Sequence, residues 1–244
     1  MGNVWRRRAH QTILKYPHQC PPIRTETDYK KFVFVNCSTT TAESVHFKLA
    51  INHLSLPSTM PVDAYDADRV KRIADPATFR WCSGEELRSF LSPERDWHVA
   101  DFGSGTGLYT AELAPVAETV FAVDIRQEMH DQARSAGMAP NVVPLLADFT
   151  ALPFDDDALD GGISIRTFHH GFDQTLDEIS RVIRPDGRLV IVDWSATGAG
   201  ERKSRNDEDY FDIATVQTHL LEHGFRISHA SERRETFVVI ATRR

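Results

Sequence analysis

From Met60 onward, short apolar runs alternate with stretches in which apolar residues recur every three or four positions. Those two rhythms are the periods of a buried strand and an amphipathic helix. Strands are expected at 97–102, 119–124, 142–146, 160–165, 187–193, 225–230 and 235–242. Helices are expected between them at about 107–114, 127–136, 174–183 and 211–223; the third carries Leu176, Ile179 and Ile183 on one face, and the last ends before Gly224. Ser83-Gly84-Glu85-Glu86 has the form of a capping box and opens a further helix toward Leu91. Arg184-Pro185-Asp186-Gly187 reads as a turn, with proline presetting φ and glycine allowing the exit. Gly161-Gly162 inside the fourth strand points to a bulge or a close backbone approach.

This alternation specifies an α/β domain built on a mostly parallel sheet. Too few residues join the last two strands for a parallel crossover, so they are expected to form an antiparallel hairpin at one edge. Residues 1–59 break the rhythm. They hold Pro17, Pro21 and Pro22, the run Ser38-Thr39-Thr40-Thr41, one β-like stretch at 32–35 and one weakly amphipathic stretch around 45–54. Such a segment cannot close a core alone, and it is expected to be a poorly structured extension ahead of a domain over 60–244, of which 60–95 forms a helical lead-in. A targeting or nucleic-acid-binding arm is the other reading of its acid-free first 25 residues.

The composition, 41% hydrophobic and 26% charged, is that of a soluble globular chain. Its longest apolar run, Phe237 to Ala241, is far short of the roughly 20 residues needed to span a bilayer. The formal charge of −7 divides unevenly, with residues 1–59 basic and the remainder strongly acidic. An acidic body repels phosphate backbones, so no nucleic-acid partner is expected. Its basic residues are almost all arginine, a bias that fits either a salt-adapted cytoplasm or a GC-rich genome. Cys20, Cys37 and Cys82 are too few and too irregular for a disulfide framework or a zinc site. A reducing, cytoplasmic setting and no bound metal are therefore expected.

The chemistry concentrates in Val99-Ala100-Asp101-Phe102-Gly103-Ser104-Gly105-Thr106-Gly107-Leu108, an apolar strand entering a glycine-rich turn and then a helix. Such a turn lets a ligand approach bare backbone. The dinucleotide fingerprint G-x-G-x-x-G would need glycine where Leu108 stands. Asp101 at the loop entrance suits a ligand with positive charge. Asp124 ends the next strand, where a carboxylate can take both hydroxyls of a ribose. Asp148-Phe149 closes the strand after that and precedes Leu152-Pro153-Phe154, offering an acceptor and an apolar wall for an adenine. All three acids fall at the carboxyl edge of the sheet, where open α/β sheets bind ligands.

Together with His169-His170 and the block from Leu176 to Leu189, these residues resemble the class I S-adenosylmethionine-dependent methyltransferases, in particular the small-molecule group that includes quinone-biosynthesis enzymes. The resemblance implies a Rossmann-like, doubly wound, seven-stranded sheet with an antiparallel last strand, and S-adenosylmethionine as cofactor. It further implies that Gly103, Ser104, Gly105 and Gly107 pass the backbone close to the methionyl part, with Asp101 supporting the loop or the amino group. Asp124 would hold the ribose, Ile125 would pack on the adenine, and Asp148 with Phe149 would receive the adenine amino group. Methyl transfer to a small-molecule acceptor follows, with His169 or His170 as a candidate base. Arg166 departs from the family pattern and is a candidate for binding an acceptor anion. Tyr65 is a candidate for the ligand's carboxylate, and 197–209 reads as a lid or a solvated loop. A non-catalytic module that binds the cofactor as a sensor or assembly subunit would keep the same loop. Acceptor identity and oligomeric state are not encoded in these motifs.

Overall fold

The computed structural model describes residues 35–39, 45–49, 74–169, 172–197 and 211–244. Tyr65, His170 and most of the expected 197–209 loop lie outside them. In the amino-terminal region two strands, β1 (Val35–Thr39) and β2 (Val45–Leu49), pair antiparallel.

The described residues of the body hold seven further strands: β3 (His98–Phe102), β4 (Thr119–Asp124), β5 (Val142–Leu146), β6 (Leu159–Ile165), β7 (Ile183–Trp194), β8 (Phe225–Glu232) and β9 (Thr236–Arg243). They form one sheet in the order β5-β4-β3-β6-β7-β9-β8. Strands β3 to β7 run parallel, and β9 lies antiparallel between β7 and β8. The expected hairpin thus sits at one edge with β9 inserted inward. Among the described residues, five helices accompany the sheet: α1 (Gly84–Leu91), α2 (Leu108–Leu113), α3 (Gln127–Ala136), α4 (Phe172–Val182) and α5 (Ile213–Glu222). A 3-10 turn, Pro76–Arg80, precedes them.

The two-residue period of the strands divides the core in two. In β4, Phe121 and Val123 join the layer beneath α4 and α5, while Val120 and Ala122 join the layer beneath α1 and α2. Helix α1 begins as its sequence dictates: Ser83 accepts from the Glu86 N–H at 3.1 Å and Glu86 accepts from the Ser83 N–H at 3.0 Å. Both orphan donors of the first turn are thereby satisfied.

Two local expectations change. The Arg184–Gly187 segment does not separate two elements but forms a bulge within β7, where Leu159 pairs with Ile183 and Gly161 already pairs with Arg188. Asp186, not Gly187, takes the left-handed conformation, with φ of +63°. Gly187 is required by crowding, since a Cβ there would stand 2.7 Å from the Arg184 carbonyl oxygen and 2.9 Å from that of Asp160. Ile183 accordingly starts the strand instead of ending the helix. The Gly161-Gly162 pair answers to both expected causes. It abuts this bulge, and a Cβ on Gly162 would fall 2.5 Å from the Phe102 ring.

Candidate functional site

The sheet order reverses between β3 and β6, and the segments leaving their carboxyl ends meet there. Gly103, Gly105 and Gly107 have φ of +81°, +53° and +85°. The loop they form is docked on β4, because the Val123 carbonyl accepts from the N–H groups of Gly103 (2.8 Å) and Ser104 (3.0 Å). Thr167, just beyond β6, donates its hydroxyl to the Gly103 carbonyl at 3.3 Å. This contact joins the two sides of the switch point.

Asp124 ends β4 beneath the loop. Its carboxylate accepts from the Gly105 N–H and the Arg126 N–H, each at 2.9 Å, so it fixes the loop's height above the sheet. Burial pushes its pKa up, while these two hydrogen bonds pull it back. Ile125 follows, half-buried. Asp148 accepts from the backbone and hydroxyl of Thr150, both at 2.9 Å, and so closes an Asx-turn after β5. Phe149 is half-buried, with its ring edge-on to Phe102 at 6.2 Å. The structure corrects the apolar wall expected beside it. Leu152, Pro153 and Phe154 are buried, with Phe154 packed at 5.0 Å on Phe121, and they belong to the core rather than to an accessible surface.

Asp101 is fully buried and accepts from the Thr110 hydroxyl at 2.6 Å, tying β3 to α2. Burial pushes its carboxyl up to about 7, against the pull of Thr110 and helped by the nearby Asp124 charge. An unfolded carboxyl releases its proton near 3.8. Between these values the folded state binds a proton that the unfolded state has lost, so stability falls as pH rises through the window and levels off above it. Urea midpoints at pH 5 and pH 8 are expected to show this decline. Asp101→Asn should remove Asp101's share of it, and an undiminished slope in that variant would show that other groups cause the effect.

Around the loop, Ser104 Oγ and Thr106 Oγ1 are buried without a hydrogen-bond partner. Native proteins rarely leave such atoms unsatisfied. A polar ligand lying on the glycine loop would supply the missing partners.

Next to the loop, the ends of β6 and β7 carry a His–Asp pair that sequence reasoning found only in part. His169 Nδ1 lies 2.8 Å from Asp193 Oδ1, and Asp193 also accepts from the backbone N–H of His169 (3.0 Å) and of Trp194 (2.8 Å). Both side chains are buried, Asp193 completely. A carboxylate only accepts, so the proton resides on Nδ1 and the basic lone pair of the neutral ring is on Nε2. Asp193 could have been found by the logic that found Asp124, as an acid ending the apolar run Leu189-Val190-Ile191-Val192.

Arg166 has φ of +55°, and its guanidinium stacks on Trp81, 4.3 Å from the ring centroid. Cys82 is buried and its thiol is pushed up to about 12, mainly by that burial, which makes it a poor nucleophile. The Tyr109 hydroxyl, in α2, donates to the carbonyls of Thr78 and Cys82, fastening the lead-in to the glycine-loop helix.

Comparison with known proteins agrees with this geometry. A methyltransferase-domain family model matches residues 100–191, which run from β3 into β7. An O-methyltransferase, cnsE, of Penicillium expansum is 37% identical over 110 residues, 42% of this chain and 40% of its own. A demethylmenaquinone methyltransferase of Clavibacter sepedonicus is 33% identical over 112 residues, 43% of this chain and 44% of its own. The chain thus matches less than half the length of these curated relatives. A crystal structure of a SAM-dependent methyltransferase from Aquifex aeolicus superposes with a TM-score of 0.64 at 25% identity, covering 72% of this chain and 98% of that one. The loop, the sheet order and these likenesses agree: residues 100–191 match a methyltransferase domain, and the chain is similar in sequence and fold to S-adenosylmethionine-dependent methyltransferases.

Proposed function

We propose that the protein transfers a methyl group from S-adenosylmethionine to a hydroxyl of a small-molecule acceptor. The observation that carries this reading is the buried His169–Asp193 pair beside the glycine loop. When bound, S-adenosylmethionine supplies a methyl group made electrophilic by its sulfonium charge. Asp193 is the positioning residue, orienting His169 and stabilising its charged form. His169 takes the acceptor's proton at Nε2, a contribution of about 10²- to 10⁴-fold in rate.

In the same reading, Asp124 holds the ribose hydroxyls and Ile125 packs against the adenine. Asp148 accepts from its amino group beside Phe149. Gly103, Ser104, Gly105 and Gly107 lie along the methionyl part, with Asp101 beneath. Residues 60–244 are the methyltransferase domain and 1–59 an extension not needed for binding. The absence of any helix long and apolar enough to cross a membrane among the described residues, together with the sparse cysteines, supports a cytoplasmic setting. The acidic body supports a small acceptor over a nucleic acid.

Isothermal titration with S-adenosylmethionine, S-adenosylhomocysteine and NAD tests the foundation. The first two are expected to bind and NAD is not, with Asp124→Ala weakening the binding at least about tenfold, since each tenfold loss is only about 1.4 kcal/mol. A folded protein that bound neither S-adenosyl compound would overturn the reading. Cofactor binding without labelled-methyl transfer to any of a panel of phenols and alcohols would favour the non-catalytic module.

A further inference from the structure

We propose that Asp101 makes the glycine-loop site selective for charge, releasing a proton when the cationic S-adenosylmethionine binds and largely keeping it when the neutral S-adenosylhomocysteine does; this rests on the methyltransferase reading. Asp101 is 2% exposed and lies on β3, two residues ahead of Gly103. Its hydrogen-bond partner is Thr110 on α2, whose hydroxyl donates to the carboxyl at 2.6 Å. Among the described residues no arginine, lysine or histidine forms an ion pair with it. A buried carboxylate without a cation is costly, and such a group keeps its proton instead.

The groups around it do not supply that cation. From β4 comes Asp124, an acid of the same sign, which acts on Asp101 and itself answers to His130 and Arg126. From α2 comes the Tyr109 hydroxyl, which burial pushes up and so holds neutral. Cys82, in the lead-in beside Tyr109, is neutral for the same reason, and Arg166 beyond the end of β6 acts on Tyr109. The loop above has an unmet need of its own. Ser104 is 8% exposed and its Oγ lacks a hydrogen-bond partner, as does Thr106 Oγ1, while Asp124 carries the loop through the Gly105 N–H. Two acids and two unpartnered hydroxyls thus converge on one loop, a setting suited to a polar ligand of positive charge.

Chemistry then separates the two ligands. S-adenosylmethionine carries a sulfonium in addition to its α-ammonium and carboxylate, and the by-product left after transfer carries a neutral thioether in its place. A cation near a buried acid favours the ionised form, so the sulfonium drives off a proton that the free protein holds. The carboxyl of the free protein is pushed up to about 7, mainly by burial. Affinity for S-adenosylmethionine therefore rises with pH up to that value, by up to about tenfold per pH unit for one linked proton, and levels off above it. Affinity for S-adenosylhomocysteine rises less. In acid the preference shifts toward the by-product, which then holds the site.

The test titrates the full chain with each S-adenosyl compound by calorimetry between pH 5.5 and pH 7.0, below the ordinary α-amino pKa of about 7.7, in two buffers of different ionisation enthalpy. The buffer dependence of the heat counts the protons released. S-adenosylmethionine is expected to release more of them at pH 6 than S-adenosylhomocysteine, and the ratio of the two affinities should rise at least about threefold across the range. His130 and His169 also stand near this edge, so the variants make the assignment. Asp101→Asn should abolish the difference in proton release and flatten the ratio. Thr110→Val removes the hydroxyl that favours the ionised form, so it should move the rise to higher pH, and it carries the test if the asparagine variant does not fold. Equal proton release with both compounds in the wild type overturns the proposal. So does an unchanged ratio in Asp101→Asn or, where that variant does not fold, an unmoved rise in Thr110→Val. Failure of the wild type to bind either compound overturns the methyltransferase reading instead.

Discussion

Replacing His169 with glutamine is expected to lower methyl transfer by about 10²- to 10⁴-fold while cofactor affinity stays unchanged, and Asp193→Asn should approach the same loss. Asp193 accepts three hydrogen bonds, two from backbone and one from the imidazole, and it is completely buried. An asparagine can accept through one oxygen only and presents an amide to the remaining donors. With its oxygen in place of Oδ1 it leaves the His169 N–H facing an amide, and in the opposite orientation its amide faces Nδ1 and the Trp194 N–H and favours the wrong tautomer. Because the role is one of positioning, the informative readout is the split between kcat and KM. In Asp193→Asn kcat should fall while KM holds. If His169→Gln turned over at the wild-type rate, the base would have to be sought elsewhere or dispensed with, as a neutral leaving group permits.

The second large effect is expected at Gly103. An alanine there must keep φ near +81°, and its methyl would stand 2.1 Å from Thr167 Cγ2 and 2.6 Å from Thr167 Cβ. Left-handed strain alone costs about 1–2 kcal/mol. The clash adds to this, because Thr167 is tied to the Gly103 carbonyl and cannot simply swing away. Gly103→Ala should lose at least about tenfold in S-adenosylhomocysteine affinity, corresponding to about 1.4 kcal/mol, and should also lower the urea midpoint. The double variant Gly103→Ala with Thr167→Gly removes the three atoms that stand nearest the methyl. Partial recovery in the double variant would separate the steric part from the backbone strain, and no recovery would assign the whole effect to φ.

These two sites differ in how they are written in the chain. The glycine loop is contiguous. Its strand, its three glycines and the acids at successive strand ends are all visible as local pattern, because a strand's period and a turn's need for positive φ are set by neighbouring residues. The same holds for the capping box at Ser83 and for β3 to β6, whose observed limits lie within a residue of those expected. The antiparallel hairpin was legible as well, from a connection too short for a crossover.

What the sequence did not reveal depends on which distant segments come together. His169 meets Asp193 across 24 positions because β6 and β7 are parallel neighbours and both end at the same edge. Arg166 meets Trp81 across a longer separation, because the lead-in is fastened over that edge by Tyr109, Arg233 and Glu235. Phe154 reads as a pocket wall by its proximity to Asp148 in the chain, yet the fold buries it on Phe121. Gly187 looks like a turn residue, although it is there to clear two carbonyl oxygens. Periodicity and turn chemistry are one-dimensional and fix the elements, the loop and the acids at the strand ends. Burial, pairing and the choice of neighbours are long-range, and the tertiary structure alone decides which acid orients the imidazole and which aromatic rings hold the cation.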